Sequence, residues 1–393
     1  MSKVSRFWLN NNEAVLYITL ILFLIGAVNV FSASFVLAGQ LLHDSYFFLK
    51  HHLVAFAIGF IALLVVSRMD YHHVRRLLLF LILATTGLLI AVHLGGVDAN
   101  GARRWLNLAG LKFQPSEIAK LVTIIMSSSY LGGLLDRRRL ASLHSVPFYF
   151  SGICAAIVLK QPDMGTALII IGVPMAMYLV VGLPRIQLFL LCGGGAALMA
   201  LGTYGAAYRA ERVAAWLNPW AYQQTIGYQT VQSLLAIGSG GFFGTGLGMG
   251  ASKFYYLPEA HTDFAFAVLC QEMGFAGAVV VLLLFAILGC YGGIIARKAP
   301  DGFGKMLALG STGLVVGQAI VNIAMVSGVI PVIGVPLPFI SFGGTSLIVN
   351  LIAIGLLISV GRRAVSRVPG QSEEIPVETR PPRRRLTLLH NRD

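Results

Sequence analysis

The chain has 393 residues, of which 56% are hydrophobic and only 11% are charged, and its formal net charge is +13. Soluble globular proteins carry about 25% charged residues, so this composition excludes an ordinary soluble domain and predicts a polytopic membrane protein. In such a protein, an excess of Lys and Arg is a signal of topology and of contact with membrane lipid rather than of nucleic-acid binding.

About ten apolar runs are each long enough to cross the hydrocarbon core of a membrane, which takes about 20 helical residues. The predicted spans are 14–38, 50–67, 74–95, 115–135, 145–161, 165–183, 186–206, 263–296, 304–328 and 341–361. They predict an all-α membrane domain over residues 14–362, with a cytoplasmic tail at 1–13 and a disordered basic tail at 363–393. The longest connection, 207–262, is predicted to be a large extracytoplasmic loop between the seventh and eighth helices.

Lys and Arg concentrate on one side of this arrangement. They cluster in both tails and in alternate short loops, such as 75–76 and 137–139. Because cytoplasmic loops carry this excess, both tails are predicted to lie in the cytoplasm. The outer connections are then 39–49, 96–114, 160–164, 207–262 and 329–340. Four of the five have unusual sequences, namely the stretches around 96–114, 160–164 and 207–262 and the Pro-rich 329–340 with the SFGGTS that follows it, and the inner loops are short and basic. This contrast predicts a site with one polar face on the outer surface.

Glu259, His261 and Asp263 end the large loop at the mouth of an apolar helix. Thr262 is predicted to cap that helix, which would put Asp263 in its first turn. There the carboxylate either complements the helix dipole or acts as a general base on a hydroxyl group. Alternatively, Glu259, His261 and Asp263 hold a divalent cation, Mg²⁺ or Mn²⁺, through oxygen and imidazole ligands.

Glu117 and Lys120 lie on one face at the start of the fourth predicted span. Charged groups inside a membrane are costly, so they pair or face a cavity. Asp163 enters at the same depth and is predicted to be a third member. The pattern indicates either an ion-pair network between helices or the polar wall of a substrate cavity.

Cations and small polar residues on the same predicted face extend this site. Arginine suits bidentate contacts with phosphate, although it also contacts lipid head groups. The cations are Arg103, Arg104, Arg209, Arg212 and Lys253. Ser341 and Ser346 either line a cavity or cap the last helix. The glycine run at 238–250 lacks the ending of a nucleotide-binding loop, and it predicts a re-entrant or surface loop that packs closely against helices.

Several stretches, in order along the chain, resemble the SEDS family (shape, elongation, division and sporulation) across residues 10–362. They are FQPSEIAK at 113–120, KQPDMGTAL at 160–168, YRAER at 208–212, GYQTVQSLLAIGSGGFFGTGLG at 227–248, YLPEAHTDFAFAVLCQEMG at 256–274 and PLPFISFGGTSL at 336–347. PEAH, with NPW before GYQ, is more similar to the division branch (FtsW) than to the rod-elongation branch (RodA). The Cys-Gln-Glu at 270–272 departs from the Gly-Glu-Glu or Ala-Glu-Glu that is frequent in the family.

The resemblance implies a peptidoglycan glycosyltransferase of the bacterial cytoplasmic (inner) membrane, active on its outer face and at the division site. Its substrate would be lipid II, the undecaprenyl-pyrophosphate-linked disaccharide pentapeptide. Asp263 matches the family's catalytic position. It would deprotonate the acceptor's GlcNAc 4-hydroxyl, which attacks the donor's MurNAc anomeric carbon with inversion as undecaprenyl pyrophosphate leaves.

The resemblance also implies partners, namely a class B penicillin-binding transpeptidase and other division proteins. Three other hypotheses compete with the division polymerase: an elongation polymerase of the same family, a lipid II flippase, and a scaffold that only recruits the transpeptidase. A flippase would need a polar path to both faces, often built from repeated halves. Here the predicted intramembrane charges cluster towards one face, and a scaffold would give Asp263 no role.

Overall fold

A computed structural model of the chain describes residues 10–99, 102–108, 111–189, 207–250 and 257–366. Its α-helices in these ranges are α1 Asn11–Leu42, α2 Phe47–Arg68, α3 Tyr71–Arg76, α4 Leu78–Gly95, α5 Pro115–Asp136, α6 Val146–Lys160, α7 Met164–Val181, α8 Ala207–Leu217, α9 Tyr228–Ser239, α10 Ala265–Lys298, α11 Gly302–Val326 and α12 Gly344–Ser366. A 3₁₀ turn at Pro219–Tyr222 links α8 to α9.

Seven helices in the described ranges are long and apolar enough to cross a membrane: α1, α2, α5, α7, α10, α11 and α12. Two shorter apolar helices, Leu78–Val92 and Val146–Lys160, match the third and fifth predicted spans. The prediction of a helical polytopic membrane protein is therefore confirmed. Most of the predicted span 186–206 and most of the two predicted tails lie outside the described residues.

A small antiparallel sheet adds to the predicted all-α architecture. Its strands are β1 Val97–Ala99, β2 Ala102–Leu108 and β3 Leu111–Phe113, in the order β1-β2-β3. The sheet occupies the predicted outer connection 96–114. β1 and β3 have only three residues each, which is too short for a periodic pattern, and the seven residues of β2, ARRWLNL, do not alternate strictly between apolar and polar, so the sequence did not reveal the sheet.

The connections predicted to be cytoplasmic meet at one end of the helical bundle. The backbone N–H of Gly302 donates to Asp136 Oδ1 at 3.0 Å, which joins the end of α5 to the start of α11. Arg363 near the end of α12 forms a 2.8 Å ion pair with Asp70 before α3. The alternation of connections between the two ends therefore agrees with the pattern of Lys and Arg.

α10 is broken at Gly274, whose φ of 67° and ψ of −168° lie outside the helical region. The glycine run supplies hydrogen bonds to backbone groups released by the break. The Thr245 N–H donates to the carbonyl of Gln271 at 2.9 Å, and the Phe275 N–H donates to the carbonyl of Gly241 at 2.9 Å. Non-helical backbone at membrane depth is tolerated when the protein itself satisfies it. The predicted close packing of the glycine run against helices is therefore confirmed.

Candidate active site

Four polar connections converge at the other end of the bundle. Their described residues are 102–108, 111–113, 161–163, 257–264 and 331–346. Arg104 Nε donates to the carbonyl of Gln161 at 2.9 Å, which joins the sheet to the turn between α6 and α7. The Gln114 N–H donates to Thr345 Oγ1 at 3.2 Å, which joins the start of α5 to that of α12. These connections are the ones that the Lys and Arg pattern predicted to share a side, and the structure assembles them into one polar region.

Asp263 lies in a turn just before α10, because the helix starts at Ala265 with Phe264 as its N-cap. The prediction that Thr262 caps this helix is wrong. Its hydroxyl donates instead to Glu259 Oε2 at 2.7 Å. The reason is the left-handed backbone of Glu259, with φ of 54°, which folds a tight turn whose Glu259 carbonyl accepts the N–H groups of Thr262 and Phe264. The carboxylate is thus carried by a turn rather than by the helix.

The Asp263 carboxylate is packed against the loop before α12. Its Oδ2 lies 3.3 Å from the place that a Cβ would take on Gly334, whose φ is 70°. Burial raises the pKa of Asp263 to about 7; the charges of Glu259 and Asp163 act in the same direction, and Arg104 opposes them. The side chain is partly exposed. A carboxyl group with a pKa near neutrality is suited to general base catalysis.

Asp163 caps α7 next to this site. Its Oδ1 accepts the Thr166 N–H at 3.1 Å and its Oδ2 accepts the Gln114 amide at 2.8 Å. Burial raises the pKa of Asp163, while the Thr166 hydrogen bond and the charge of Arg104 lower it. Oδ1 therefore caps α7 itself, and Oδ2 joins the start of α7 to that of α5.

Glu117 and Lys120 form the predicted pair on α5, with 2.8 Å between Lys120 Nζ and Glu117 Oε2 and side chains only 2% exposed. Lys120 also donates to Gln318 Oε1 on α11 at 2.9 Å. Gln318 Nε2 in turn donates to the carbonyl of Pro336 at 2.9 Å. Gln318 is thus a further member of the network, and the predicted third member, Asp163, is linked to it through the charge of Glu117, which helps to raise the pKa of Asp163.

His261 is not placed with Glu259 and Asp263 as a group of metal ligands. Its buried ring lies 4.4 Å from the ring of Phe48 and 5.9 Å from that of Phe342. Burial lowers the pKa of His261, which the charge of Glu259 opposes. Across the described residues, no three His, Cys, Asp or Glu side chains are arranged to hold a metal ion. These three residues therefore do not form the predicted cation site in this structure.

The two predicted serines have different surroundings. Ser341 Oγ accepts the Leu337 N–H at 2.9 Å and so stabilises a turn of the loop before α12. Ser346 Oγ accepts the Gln318 amide at 3.3 Å in the first turn of α12. Ser346 thus extends the polar network of α5 and α11, whereas Ser341 has a local structural contact.

Among the predicted cations, Arg104 is the one whose side-chain contacts the structure describes. Arg103 lies beside it on β2, and Arg209 and Arg212 lie on α8. Lys253 lies outside the described residues. Arg104 is half-buried, and its contacts with the turn between α6 and α7 fix the guanidinium in the polar region.

The sequence analysis missed Gln318 and Asn322, which are both 0% exposed in α11. Asn322 Nδ2 donates to the carbonyl of Asp263 at 2.7 Å and to that of Val335 at 2.6 Å. The sequence did contain a signal for these two residues. Two amides four residues apart lie on one face of a helix, and polar groups in an apolar span are costly unless they have a partner, so the pair could have been predicted to face a polar site.

Comparison with known proteins identifies relatives over nearly the whole chain. Residues 12–365 match the FtsW/RodA/SpoVE family, described as cell cycle protein. The probable peptidoglycan glycosyltransferase FtsW of Geobacter sp. (strain M18) is 41% identical over 357 residues, which are 89% of this chain and 96% of the relative. Stage V sporulation protein E of Bacillus subtilis (strain 168) is 39% identical over 353 residues, 88% of this chain and 95% of the relative.

Solved structures show the same fold. A chain from a study of structural coordination of polymerization and crosslinking by a peptidoglycan synthase complex has a TM-score of 0.74 at 28% identity, covering 91% of this chain and 99% of that one. The rod shape determining protein RodA of Thermus thermophilus has a TM-score of 0.65 at 28% identity, covering 89% and 96%. With these matches and the polar site in place, the chain belongs to the FtsW/RodA/SpoVE family of cell cycle proteins.

Proposed function

We propose that this protein is a peptidoglycan glycosyltransferase that polymerises lipid II on the outer face of the cytoplasmic membrane, with Asp263 as the general base. The observation that carries the proposal is the position of Asp263, a half-buried carboxyl group with a pKa of about 7 at the meeting point of four polar connections. The relatives named probable peptidoglycan glycosyltransferase FtsW support both the reaction and a role in division.

The reaction needs one proton acceptor. Ionised Asp263 takes the proton of the 4-hydroxyl group on the acceptor GlcNAc, and the oxygen attacks the anomeric carbon of the donor MurNAc. The bond from that carbon to undecaprenyl pyrophosphate breaks on the opposite face, which inverts the configuration and gives a β-1,4 linkage. The proton ends on Asp263, and the bonding electrons leave with the pyrophosphate.

Arg104 is the described cation best placed to stabilise the leaving group. Its guanidinium is held by the backbone carbonyls of Gln161 and Pro162, and its charge acts on Asp263. A fixed guanidinium suits phosphate oxygens and needs little reorganisation as their charge develops.

We infer that the protein acts together with a class B penicillin-binding transpeptidase and other division proteins, at the division site of a bacterial cytoplasmic membrane. A polymerase that releases uncrosslinked strands requires a crosslinking enzyme nearby. The structural relative from a peptidoglycan synthase complex, which joins polymerization to crosslinking, supports this partner.

The test uses purified protein with its transpeptidase partner, lipid II, and a gel that resolves glycan strands. We expect Asp263→Asn to reduce strand formation at least 100-fold, because the variant has no base. Asp44→Asn is the matched control, since Asp44 is a carboxylate in another predicted outer loop that pairs with Lys50. Strand formation at the wild-type rate by Asp263→Asn would refute the assignment. Lipid II transport across vesicles without polymerisation would favour the flippase hypothesis.

A further inference from the structure

Three backbone carbonyl groups, at every second residue in and just after the turn that carries Asp263, each accept a hydrogen bond from another element. The donors are the N–H of Phe342 to the carbonyl of His261 at 2.9 Å, the amide of Asn322 to that of Asp263 at 2.7 Å, and the amide of Asn29 to that of Ala265 at 2.9 Å. They come from the loop before α12, from α11 and from α1. Three separate elements therefore fix one short backbone segment, which we call the carbonyl clamp.

Asn322 has the most specific place in the carbonyl clamp. Its Nδ2 uses both hydrogens, one on the carbonyl of Asp263 and one on the carbonyl of Val335. Val335 follows Gly334, where an added Cβ would lie 3.3 Å from Asp263 Oδ2. One buried amide thus sets the spacing between the turn and the surface against which its carboxylate packs. Only an amide offers two donors on one nitrogen at this reach.

Asn29 anchors the far side of the same turn. It lies in the middle of α1, is 5% exposed, and donates to the carbonyl of the first residue of α10. An unpaired amide at this depth in a membrane span would be costly, so its partner matters to its placement. α1 and α11 therefore hold this segment by hydrogen bonds from two sides.

We infer that Asn322 and Asn29 are positioning residues that hold the Asp263 carboxylate in its reactive place. This inference rests on the proposed function, because it assumes that Asp263 reacts. Displacing a reacting group by about 1 Å costs about 100-fold in rate. Loss of a clamp donor should consequently lower the rate of the chemical step while leaving substrate binding nearly intact.

A purely structural role would give a different result. Asn350 in α12 is a buried amide that does not contact the turn, since it is 1% exposed and its Nδ2 donates to the carbonyl and to Oγ of Ser346 within its own helix. A buried amide of that kind contributes to stability without touching the turn. The measurement must therefore separate kcat from KM and from the unfolding temperature.

The experiment compares Asn322→Leu, Asn322→Asp and Asn322→Gln with wild-type protein in the strand assay, across lipid II concentrations and pH. We expect Leu and Asp to lower kcat at least tenfold with KM changed less than about twofold, because neither side chain donates when Asp is ionised. Gln keeps both donors and should restore part of the rate. Thr312→Val is the control, since the Thr312 hydroxyl donates to Ala308 within the same helix, away from the turn.

The pH profile gives a second readout. With the clamp open, water reaches Asp263, so the midpoint of the rate should move to lower pH than in wild-type protein. A wild-type kcat and midpoint in folded Asn322→Leu would overturn the inference for Asn322. If that variant yields no folded protein, Asn29→Leu is measured instead, and a wild-type kcat and pH midpoint in folded Asn29→Leu would overturn the inference.

The two proposals fail separately. Asp263→Asn is measured in parallel, and a wild-type rate there would remove the base itself, whatever Asn322→Leu does. An inactive Asp263→Asn together with a fully active Asn322→Leu would leave the proposed function standing and reject the positioning role. A loss of kcat in Asn322→Leu that Asn322→Gln partly reverses would support the clamp.

Discussion

The buried pair of Glu117 and Lys120 gives a quantitative prediction about stability. Each side chain is only 2% exposed, and Gln318 Oε1 accepts a second hydrogen bond from Lys120. Removing one partner of a buried pair leaves an uncompensated charge, which costs about 3–5 kcal/mol. We therefore expect Lys120→Met and Glu117→Leu each to lower the free energy of unfolding by that amount, with Glu117→Leu nearer the lower end because Gln318 still accepts from Lys120.

The double variant separates charge burial from packing. It leaves no buried charge, and its main defect is the unpaired oxygen of Gln318, which costs about 1–3 kcal/mol. The double variant should thus lose less free energy of unfolding than the upper value of about 5 kcal/mol for a single change, and far less than the sum of the two single losses. The coupling energy in this cycle is then at least about 3 kcal/mol.

Unfolding of the purified protein from mixed micelles, followed by far-UV circular dichroism over a denaturant series, measures these differences. Lys50→Met is the control, because Lys50 pairs with Asp44 at 2.8 Å but is 64% exposed, so its loss should not change the midpoint measurably. Additive losses in the double variant would refute the reasoning. So would a Lys120→Met protein as stable as wild type.

Three further predictions follow from the site and the fold. The initial rate should rise with pH through about 7, since Asp263 must be ionised to act as the base, and a flat rate profile would contradict this. The raised pKa of Asp263 also means that its ionisation destabilises the folded state. The melting temperature of Asp263→Asn should therefore be higher than that of wild type at pH 8 and equal to it below pH 4. Gly274→Ala should lower the melting temperature, because the added Cβ would lie 2.3 Å from the backbone nitrogen of Gly244. Gly317→Ala is the control, since its Cβ would meet open space and should leave the melting temperature unchanged. Equal melting temperatures for the two variants would contradict the packing at the break in α10. In cells, a membrane-impermeant maleimide should label Glu259→Cys but label Arg138→Cys only after permeabilisation, and the reverse pattern would invert the topology.

Much of the architecture was predictable because the membrane constrains it strongly. Each span must bury its own backbone hydrogen bonds, so apolar length and the Lys and Arg pattern locate the helices and the alternation of connections. The turn between α6 and α7, predicted from Lys160 to Asp163, is found there, with α6 ending at Lys160 and α7 starting at Met164. The strands of the sheet were not predictable, because β1 and β3 are too short for a periodic signal and β2 does not alternate strictly between apolar and polar residues.

The candidate site was predictable only in part. Glu117 and Lys120 are three residues apart on one helix, so their contact follows from helical geometry alone. The partners of Asp263 come from α1, α11 and the loop before α12, and no local pattern joins segments so far apart in the chain. Thr262 illustrates why local sequence is not sufficient. Threonine is a residue type that often caps helices, but the left-handed backbone of Glu259 brings the Thr262 hydroxyl to the Glu259 carboxylate instead.

The sequence by itself determined that this is a helical membrane protein, that its polar chemistry lies in alternate connections, and that Asp263 is the residue to examine. Those conclusions depend on local composition and on the cost of polar groups in lipid. Only the tertiary structure decided that Gln318 completes the Lys120 network, that the glycine run supports a broken helix, and that Asn29 and Asn322 hold the turn of Asp263. The reason is that such hydrogen bonds depend on how helices pack, which the order of residues within one span does not show.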